Sequence, residues 1–230
     1  MPVRCLKLRS FHLSYSKVKT VDLEPCPNLE ELDIVECNDL VELHMPVACP
    51  KIISINVSCS KLSTFDLRLT PNLETFSLRG CDNLVEFHMP IGCLKLKSLN
   101  LGYSKLTTLD LGLTPNLEEL TCHDLVELHM PHECLELKSL KLSASKLRTL
   151  DLGMLPNLDT LTLKRCHDLV ELHMRVGCLN LTDLKLTCSK LRTLDLGLTP
   201  NLESLSVKGC HDLVELHMPP PDVQNSNSST

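Results

Sequence analysis

The chain has 230 residues, a formal net charge of −6 and no tryptophan. This charge argues against a protein that tracks the phosphate backbone of nucleic acids. No segment approaches the roughly 18–20 consecutive apolar residues of a membrane-spanning helix. Apolar residues make up 43% of the chain but aromatic residues only 3%, so we expect leucine to form the core.

A unit of 44 residues recurs from one end of the chain to the other. Its marker Pro-Asn-Leu-Glu (Asp in the fourth copy) begins at Pro27, Pro71, Pro115, Pro156 and Pro200, at steps of 44, 44, 41 and 44 residues. A fixed period of this length predicts a solenoid and not a globular domain with a central pocket. Solenoids mostly bind other macromolecules along an extended surface, so the period already favours a binding function.

Each unit divides into two coils, and each coil opens with the pattern L-x-x-L-x-L-x-x-C/S. Ten such segments start near Leu8, Leu29, Ile52, Leu73, Leu96, Leu117, Leu137, Leu158, Leu181 and Leu202. The pattern is the leucine-rich-repeat consensus, and its L-x-L alternation predicts a short strand with leucine pointing inward. Stacked coils therefore predict a leucine-rich-repeat solenoid with a parallel sheet on the concave face of an arc.

The second half of each coil reads L-x-x-L-x-L/M and is too short for a helix. We expect extended or loop structure on the convex face and very little α-helix. Residues 1–219 form the predicted array of about ten coils, or five 44-residue double repeats, and residues 220–230 form a predicted disordered polar tail. Because neither end of the array resembles a cap, we expect the chain to be a fragment of a longer protein or a truncated product.

The 41-residue step marks a deletion. After Leu120 the chain reads Thr121-Cys122-His123, three residues shorter than the stretch from Thr162 to His167 in the next unit. One turn there must be tighter than in the other coils, or the coil must lack one of the charged residues that recur at this position. We therefore expect this coil to be the weakest of the array.

The 13 cysteines fall mainly on two repeating positions. One series is Cys37, Cys81, Cys166 and Cys210, with Cys122 beside the deletion, and the other is Cys49, Cys93, Cys134 and Cys178. Cysteines set by repeat phase, in a chain without a secretory signal sequence at its start, indicate reduced thiols. This predicts a cytoplasmic protein, with access to the nucleus left open.

Charged residues alternate along the second half of the coils. The residue between the last two apolar positions is Asp22, His44, Asp66, His88, Asp110, His129, Asp151, His173, Asp195 and His217 in turn. The residue before the first apolar position alternates between Lys and Asp or Asn, as in Lys61 and Asp168. We expect opposite groups to face each other on neighbouring coils, which lie about 4.8 Å apart. Duplication of a two-coil unit also explains the alternation.

Histidines two coils apart lie about 10 Å from each other and cannot share a zinc ion, so we predict no metal site and no cofactor.

The outward residues of the concave strands are the predicted partner-binding set. The candidates are Asn56, Arg79, Asn100, Tyr103, Lys141, Lys164, Lys185 and Lys208. Acidic residues, Asp33 and Glu36 among them, gather near the start of this face and lysines near its end. This gradient can orient an acidic partner toward the later coils, although a solvated face with random charges also explains it.

No catalytic constellation is present in the sequence. It contains no phosphate-binding loop G-x-x-x-x-G-K-[ST], no G-x-S-x-G elbow, no G-x-G-x-x-G and no H-E-x-x-H. We therefore predict that the chain is not an enzyme. Its expected partners are proteins, with no nucleic acid and no membrane.

The unit N-L-E-x-L-x-L-x-x-C-x-D-L-V-E-L-H-M-P, as in residues 201–219, resembles the repeats of plant intracellular immune receptors of the TIR–nucleotide-binding class. The resemblance covers about residues 5–219 and implies recognition of a pathogen effector or a guarded host protein. It also implies contact with the receptor's own nucleotide-binding domain if the chain is part of a longer one. The His-Met before Pro departs from those repeats, and no TIR or nucleotide-binding domain is present. Two alternatives remain open, a stand-alone substrate adaptor of the F-box kind and a truncated array without function.

Overall fold

The computed structural model describes residues 5–45, 49–67, 70–89, 93–130, 134–174 and 178–219. The predicted tail at 220–230 lies outside the described residues, and the 1–219 boundary of the array stays a prediction. Each coil contributes one strand to a concave sheet and one shorter strand to a convex wall.

The concave sheet contains ten parallel strands, one for each predicted segment. In chain order they are β1 (Ser10–Ser14), β3 (Glu31–Val35), β5 (Ser54–Ser58), β7 (Thr75–Ser77), β9 (Ser98–Leu101), β11 (Glu119–His123), β13 (Ser139–Ser143), β15 (Thr160–Lys164), β17 (Asp183–Thr187) and β19 (Ser204–Lys208). Consecutive strands of this series pair directly, so the sheet runs without a break along the described array. This confirms the leucine-rich-repeat solenoid with its parallel concave sheet.

The leucines of the L-x-L pattern stack between coils and form the core. Leu142 on β13 lies opposite Cys122 on β11 and Leu163 on β15, and all three are almost completely buried. The residues between the leucines point away from the core, as the period of two requires. Burial of each such leucine stabilises the fold by about 1.5–3 kcal/mol.

The convex wall is built from ten strands of three residues. They are β2 (Thr20–Asp22), β4 (Glu42–His44), β6 (Thr64–Asp66), β8 (Glu86–His88), β10 (Thr108–Asp110), β12 (Glu127–His129), β14 (Thr149–Asp151), β16 (Glu171–His173), β18 (Thr193–Asp195) and β20 (Glu215–His217). These strands form five separate pairs, β2–β4, β6–β8, β10–β12, β14–β16 and β18–β20. Helical structure in the described residues is limited to three short 3-10 turns, Leu111–Leu113, Leu152–Met154 and Cys178–Asn180. The prediction of a mostly extended convex face is confirmed.

A left-handed residue ends the concave segment of each coil. Eight of these positions carry a side chain, among them Tyr103 (φ 59°) and Asp124 (φ 57°), and Gly80 and Gly209 occupy the other two. The amide of Asp124, for example, donates to the carbonyl of Ser143 on the next coil at 3.0 Å. This bond offsets the roughly 1–2 kcal/mol that the left-handed conformation costs a residue with a Cβ.

Asparagine side chains tie each Pro-Asn-Leu segment to the preceding coil. The amide nitrogen Nδ2 of Asn116 donates to the carbonyl of Leu94 at 2.6 Å, and Asn28, Asn72, Asn157 and Asn201 donate in the same way to Leu6, Pro50, Leu135 and Leu179. The donated bond satisfies a loop carbonyl that no strand reaches. This explains why the asparagine recurs in every unit.

The shortened unit keeps its place in the concave sheet. Cys122 occupies the second inward position of β11, opposite Leu101 and Leu142, and not the turn-closing position of Cys81 or Cys166. The missing residues are therefore those that correspond to Cys166–Asp168. The turn tightens at Asp124, whose left-handed conformation leads directly to the buried Leu125.

The predicted Asp–His ladder on the convex wall is only partly realised. Asp110 is in register with His129, but its Oδ1 atom accepts a hydrogen bond from the amide of Gly112 at 2.8 Å. The ring of His173 contacts Glu171 on its own strand at 3.0 Å. Asp and His thus face each other in register as expected, while the Asp110 carboxylate accepts its hydrogen bond from the turn after its own strand. The Lys–Asp alternation does form ion pairs, since the Nζ atom of Lys61 lies 3.0 Å from Asp39.

Candidate partner-binding face

Besides the first residue of each strand, where Glu31, Glu119 and Asp183 lie, the concave face presents two rows of outward side chains. The central row is His12, Asp33, Asn56, Ser77, Asn100, Thr121, Lys141, Thr162, Lys185 and Ser206. The second row, two residues further along each coil, is Ser14, Val35, Ser58, Arg79, Gly102, His123, Ser143, Lys164, Thr187 and Lys208. The register of the strands places neighbouring members of each row on adjacent coils.

A stack of three side chains occupies the middle of this face. The Tyr103 ring lies on the His123 ring with 4.0 Å between centroids, and the Arg79 guanidinium lies 5.7 Å from the Tyr103 centroid. The Oδ1 atom of Asn100 accepts a hydrogen bond from the Gly102 amide at 3.0 Å. A Cβ at Gly102 would lie 3.1 Å from that oxygen and 3.5 Å from Nδ1 of His123, so a glycine leaves room for both.

Two shallow hollows open on either side of the stack and share Arg79, Asn100 and Tyr103 in their walls. The first, of about 670 Å³, extends toward the early coils and includes Asn56 and Glu36.

The second hollow, of about 310 Å³, extends toward the later coils and includes His123, Lys141 and Lys164. The structure therefore brings six of the eight predicted residues to these two hollows. Lys185 and Lys208 lie further along the same face, on β17 and β19.

His123 was absent from the predicted set although it lies at the centre of the site. Its ring is half-buried, and its Nδ1 atom is buried without a hydrogen-bond partner among the described residues. Burial lowers the pKa of the His123 imidazole; Asp124 opposes this shift, while Arg79 and Lys164 add to it. The repeat itself could have identified His123 as an outward residue of this face, because His123 occupies the same repeat position as Arg79 and Lys164 when the deletion is placed after Asp124.

Charge is divided unevenly along the face. In the early coils Asn56 donates to Asp33 at 2.8 Å, and His12 lies 3.6 Å from the same carboxyl group. In the later coils Lys185 is paired with Asp183. Arg79, Lys141, Lys164 and Lys208 form no salt bridge within the described ranges. These four cations remain available to a partner.

Eight of the cysteines are buried in the core, whereas Cys59 lines the first hollow and donates to Glu36. No disulfide joins the thirteen cysteines, all of which lie in described segments. Burial raises the pKa of the Cys93 and Cys166 thiols to about 11 and that of Cys122 to about 12, so these thiols are protonated at neutral pH. A thiol needs its thiolate form to act as a nucleophile, and burial disfavours that form.

Two features of the described residues concern metal binding and membranes. These residues contain no group of three or more His, Cys, Asp or Glu placed to hold a metal ion. Among the same residues, no helix has the length and apolar character needed to cross a bilayer.

Known proteins give a fold for comparison but no family assignment. No protein-family model matches the chain, and no curated protein matches it significantly. The functional domain of InlJ from Listeria monocytogenes, which includes a cysteine ladder, superposes with a TM-score of 0.77 at 19% identity, over 92% of this chain and 50% of that one. The leucine-rich-repeat domain of the type III effector XopL superposes with a TM-score of 0.61 at 22% identity, over 90% of this chain and 71% of that one.

These comparisons define the class of protein. The chain is a leucine-rich-repeat solenoid, a fold that typically serves as a non-enzymatic scaffold for protein interactions. It spans half the length of the InlJ domain.

Proposed function

We propose that the chain is a protein-recognition module, the effector-sensing part of a plant intracellular immune receptor of the TIR–nucleotide-binding class. Its ligand is a pathogen effector or a guarded host protein, bound on the concave face in the cytoplasm. In a longer chain, the receptor's own nucleotide-binding domain is a second partner. The consensus of residues 201–219 motivates the receptor class, and the concave face motivates the recognition role.

The observation that carries the recognition role is the Arg79–Tyr103–His123 stack between two hollows. Tyr103 is 53% exposed although its ring is held by a neighbour on the next coil, so it presents a pre-ordered aromatic surface. Exposed aromatic and arginine side chains held in one conformation are the residues that dominate protein interfaces. Their position on a rigid sheet lowers the entropy that a partner's binding must offset.

A comparative pull-down tests the recognition role. The chain, a concave variant (Arg79→Ser with Tyr103→Ser) and a convex control (Arg148→Ser with His129→Ser) are each incubated with plant leaf extract and analysed by quantitative mass spectrometry. We expect at least one protein to be retained by the wild type and the convex control and depleted at least fivefold by the concave variant. Equal retention by all three forms would exclude the concave face as the recognition surface.

The full transcript tests the receptor class separately. A TIR domain and a nucleotide-binding domain upstream of the repeats support the receptor. An upstream F-box helical bundle would instead make the chain a substrate adaptor, while leaving the recognition role intact.

A further inference from the structure

The later half of the concave face carries one lysine on every strand. Lys141 and Lys185 stand in the central row on β13 and β17, while Lys164 and Lys208 stand in the second row on β15 and β19. We call these four residues the lysine zigzag. At the same repeat positions the earlier coils carry His12, Val35, Asn56, Arg79, Asn100 and His123, so lysine occurs at these positions only from β13 onward.

Hydroxyl groups fill the positions between the lysines. In the central row Lys141 lies between Thr121 and Thr162, and in the second row Lys164 lies between Ser143 and Thr187. Lys141 and Lys164 therefore each have a hydroxyl-bearing residue on the strand at either side, of which Thr162 is buried and Thr121, Ser143 and Thr187 are partly exposed. The amines offer charge-assisted hydrogen bonds to an anion, and the accessible hydroxyls add neutral donors.

The spacing of the zigzag follows from sheet geometry. Successive lysines are one strand apart, so they advance by about 4.8 Å along the sheet and alternate between two rows about 6.6 Å apart. Alternate side chains of an extended peptide are about 6.6–6.8 Å apart. Lysine side chains are long enough to absorb this difference.

The zigzag is also charged and accessible. Lys141, Lys164 and Lys208 are exposed and have no salt bridge within the described segments; Lys185 is half-buried beside Asp183. Asp33 and Glu36 lie on the early coils of the same face, whereas Glu119 lies on β11 and Asp183 is paired with Lys185. A ligand with matching negative charge is therefore attracted to the later coils and repelled from the early ones.

We propose that the lysine zigzag binds an acidic, extended polypeptide segment that carries carboxylates at alternate residues. This inference rests on the proposed recognition function and names the chemistry of the partner. A nucleic acid is the less favoured polyanion, because Asp183 stands beside Lys185, Asp33 and Glu36 share the face, and the chain as a whole has a charge of −6.

The test uses defined peptides and not an unidentified partner. A fluorescently labelled dodecapeptide with Glu at every second position and Ser between is titrated with the chain at 50 and 200 mM salt, beside a peptide with Gln in place of Glu. Variants are a zigzag triple (Lys141→Gln, Lys164→Gln, Lys208→Gln) and a control triple with the same charge change (Lys105→Gln, Lys146→Gln, Lys190→Gln) on the turns that lead to the convex wall. Circular dichroism and thermal unfolding confirm that both triples are folded.

We expect the Glu peptide to bind the wild type at least tenfold more tightly than the Gln peptide, and more weakly at the higher salt concentration. The zigzag triple should lose about tenfold in affinity and the control triple less than twofold, as expected for three exposed ion pairs. Equal losses in the two triples would overturn the proposal, because the attraction would then be general. Tighter binding of a twelve-nucleotide oligouridine than of the Glu peptide at equal salt would also overturn it, in favour of a nucleic acid.

The two proposals fail in different ways. If the retention of a protein depends on Arg79 and Tyr103 but is the same for the zigzag triple and the wild type, the recognition function is supported and the proposal of an acidic partner is contradicted. If no protein depends on the concave face in the pull-down while the Glu peptide still distinguishes the two triples, the zigzag stands and the assigned recognition function fails.

Discussion

The concave sheet and the convex wall are made by the same coils but differ in continuity. Ten strands pair without interruption on the concave side, whereas the convex strands pair only two by two within each 44-residue unit. An arc cannot keep the strand spacing of about 4.8 Å on both faces, because its outer face follows the larger radius. Gaps therefore separate the convex strands at intervals, and the positions of these gaps follow the 44-residue repeat.

The openings fall between units because the bonds that hold the convex wall lie within units. The Leu23 amide donates to the His44 carbonyl at 2.8 Å, and Leu196 donates in the same way to His217. At the unit boundaries, clefts of about 370 and 350 Å³ separate β4 from β6 and β8 from β10. The continuous concave sheet therefore joins all ten coils, whereas the convex wall joins coils only in pairs.

The largest expected effect tests this division of stability. Leu163→Ala on the concave strand β15 should lower the free energy of unfolding by about 2–5 kcal/mol, because Leu163 is 2% exposed and packs between two neighbouring coils. Leu172→Ala on the convex strand β16 should cost roughly half as much, since Leu172 is only partly buried. Urea denaturation of both variants measures the difference. Equal losses would show that the convex wall supports the array as strongly as the sheet does.

The next effect concerns the asparagines that join the units. Asn116→Ala should cost about 0.5–1 kcal/mol, because the solvent-exposed carbonyl of Leu94 loses its donor. Asn116→Asp should be at least as damaging, since it keeps the shape but replaces the amide donor with an acceptor. Asn83→Ala, at an exposed position of the neighbouring coil, is the matched control and should be nearly neutral. Urea denaturation that found Asn116→Ala as neutral as Asn83→Ala would remove the proposed role of the asparagine.

The sequence predicted the concave sheet better than the convex wall for a physical reason. The spacing L-x-x-L-x-L determines which side chains point inward, and burial then fixes strand register to a single residue. The convex positions gave only an alternation of Asp and His, and the pattern could not show that Asp110 would bond the Gly112 amide instead. The partner of the Asp110 carboxylate depends on the backbone conformation of the turn after β10, and the alternation of Asp and His does not determine that conformation.

The site was predictable to the same extent as the sheet beneath it. Asn56, Asn100, Lys141 and Lys164 follow directly from the outward phase of the strands. His123 was missed because the three-residue deletion can be placed after Thr121, which matches Cys122-His123-Asp124 with Cys166-His167-Asp168, as easily as after Asp124. Only the left-handed turn at Asp124 decides between these alignments.

A smaller effect distinguishes the turn role of Asp110 from a charge ladder. Asp110→Asn keeps an acceptor for the Gly112 amide and should be close to wild type, whereas Asp110→Ala should cost about 0.5 kcal/mol. Thermal unfolding at pH 7 measures both. If attraction to His129 were the main contribution, the two substitutions would instead be equally destabilising.

The pH dependence of stability should report the burial of His123 on the concave side. Because burial lowers the pKa of His123, the folded state binds fewer protons there than the unfolded state, whose histidine titrates near 6.5. The contribution of His123 is therefore fully present above about pH 6.5 and is lost as the pH falls through the folded-state pKa. Relative to His123→Gln, the wild type should lose stability in urea between pH 7.5 and pH 5. A flat difference between the wild type and His123→Gln across this pH range would contradict the buried setting of His123.

The smallest effect belongs to the ion pairs on the turns that lead to the convex wall. The Lys61 ammonium lowers the pKa of Asp39 through a hydrogen bond and its charge, and both groups are exposed. Lys61→Met should therefore raise the pKa of Asp39 toward its ordinary value, while the pairing energy is too screened by solvent to change the unfolding midpoint measurably. Titration of the Asp39 carboxyl by NMR between pH 2 and pH 6 measures the shift, and Lys97→Met, whose partner is Glu74, serves as the control. An unchanged Asp39 titration in Lys61→Met would mean that the Lys–Asp alternation reflects duplication of the two-coil unit alone. A raised pKa would mean that the alternation also gives neighbouring coils a preference for register.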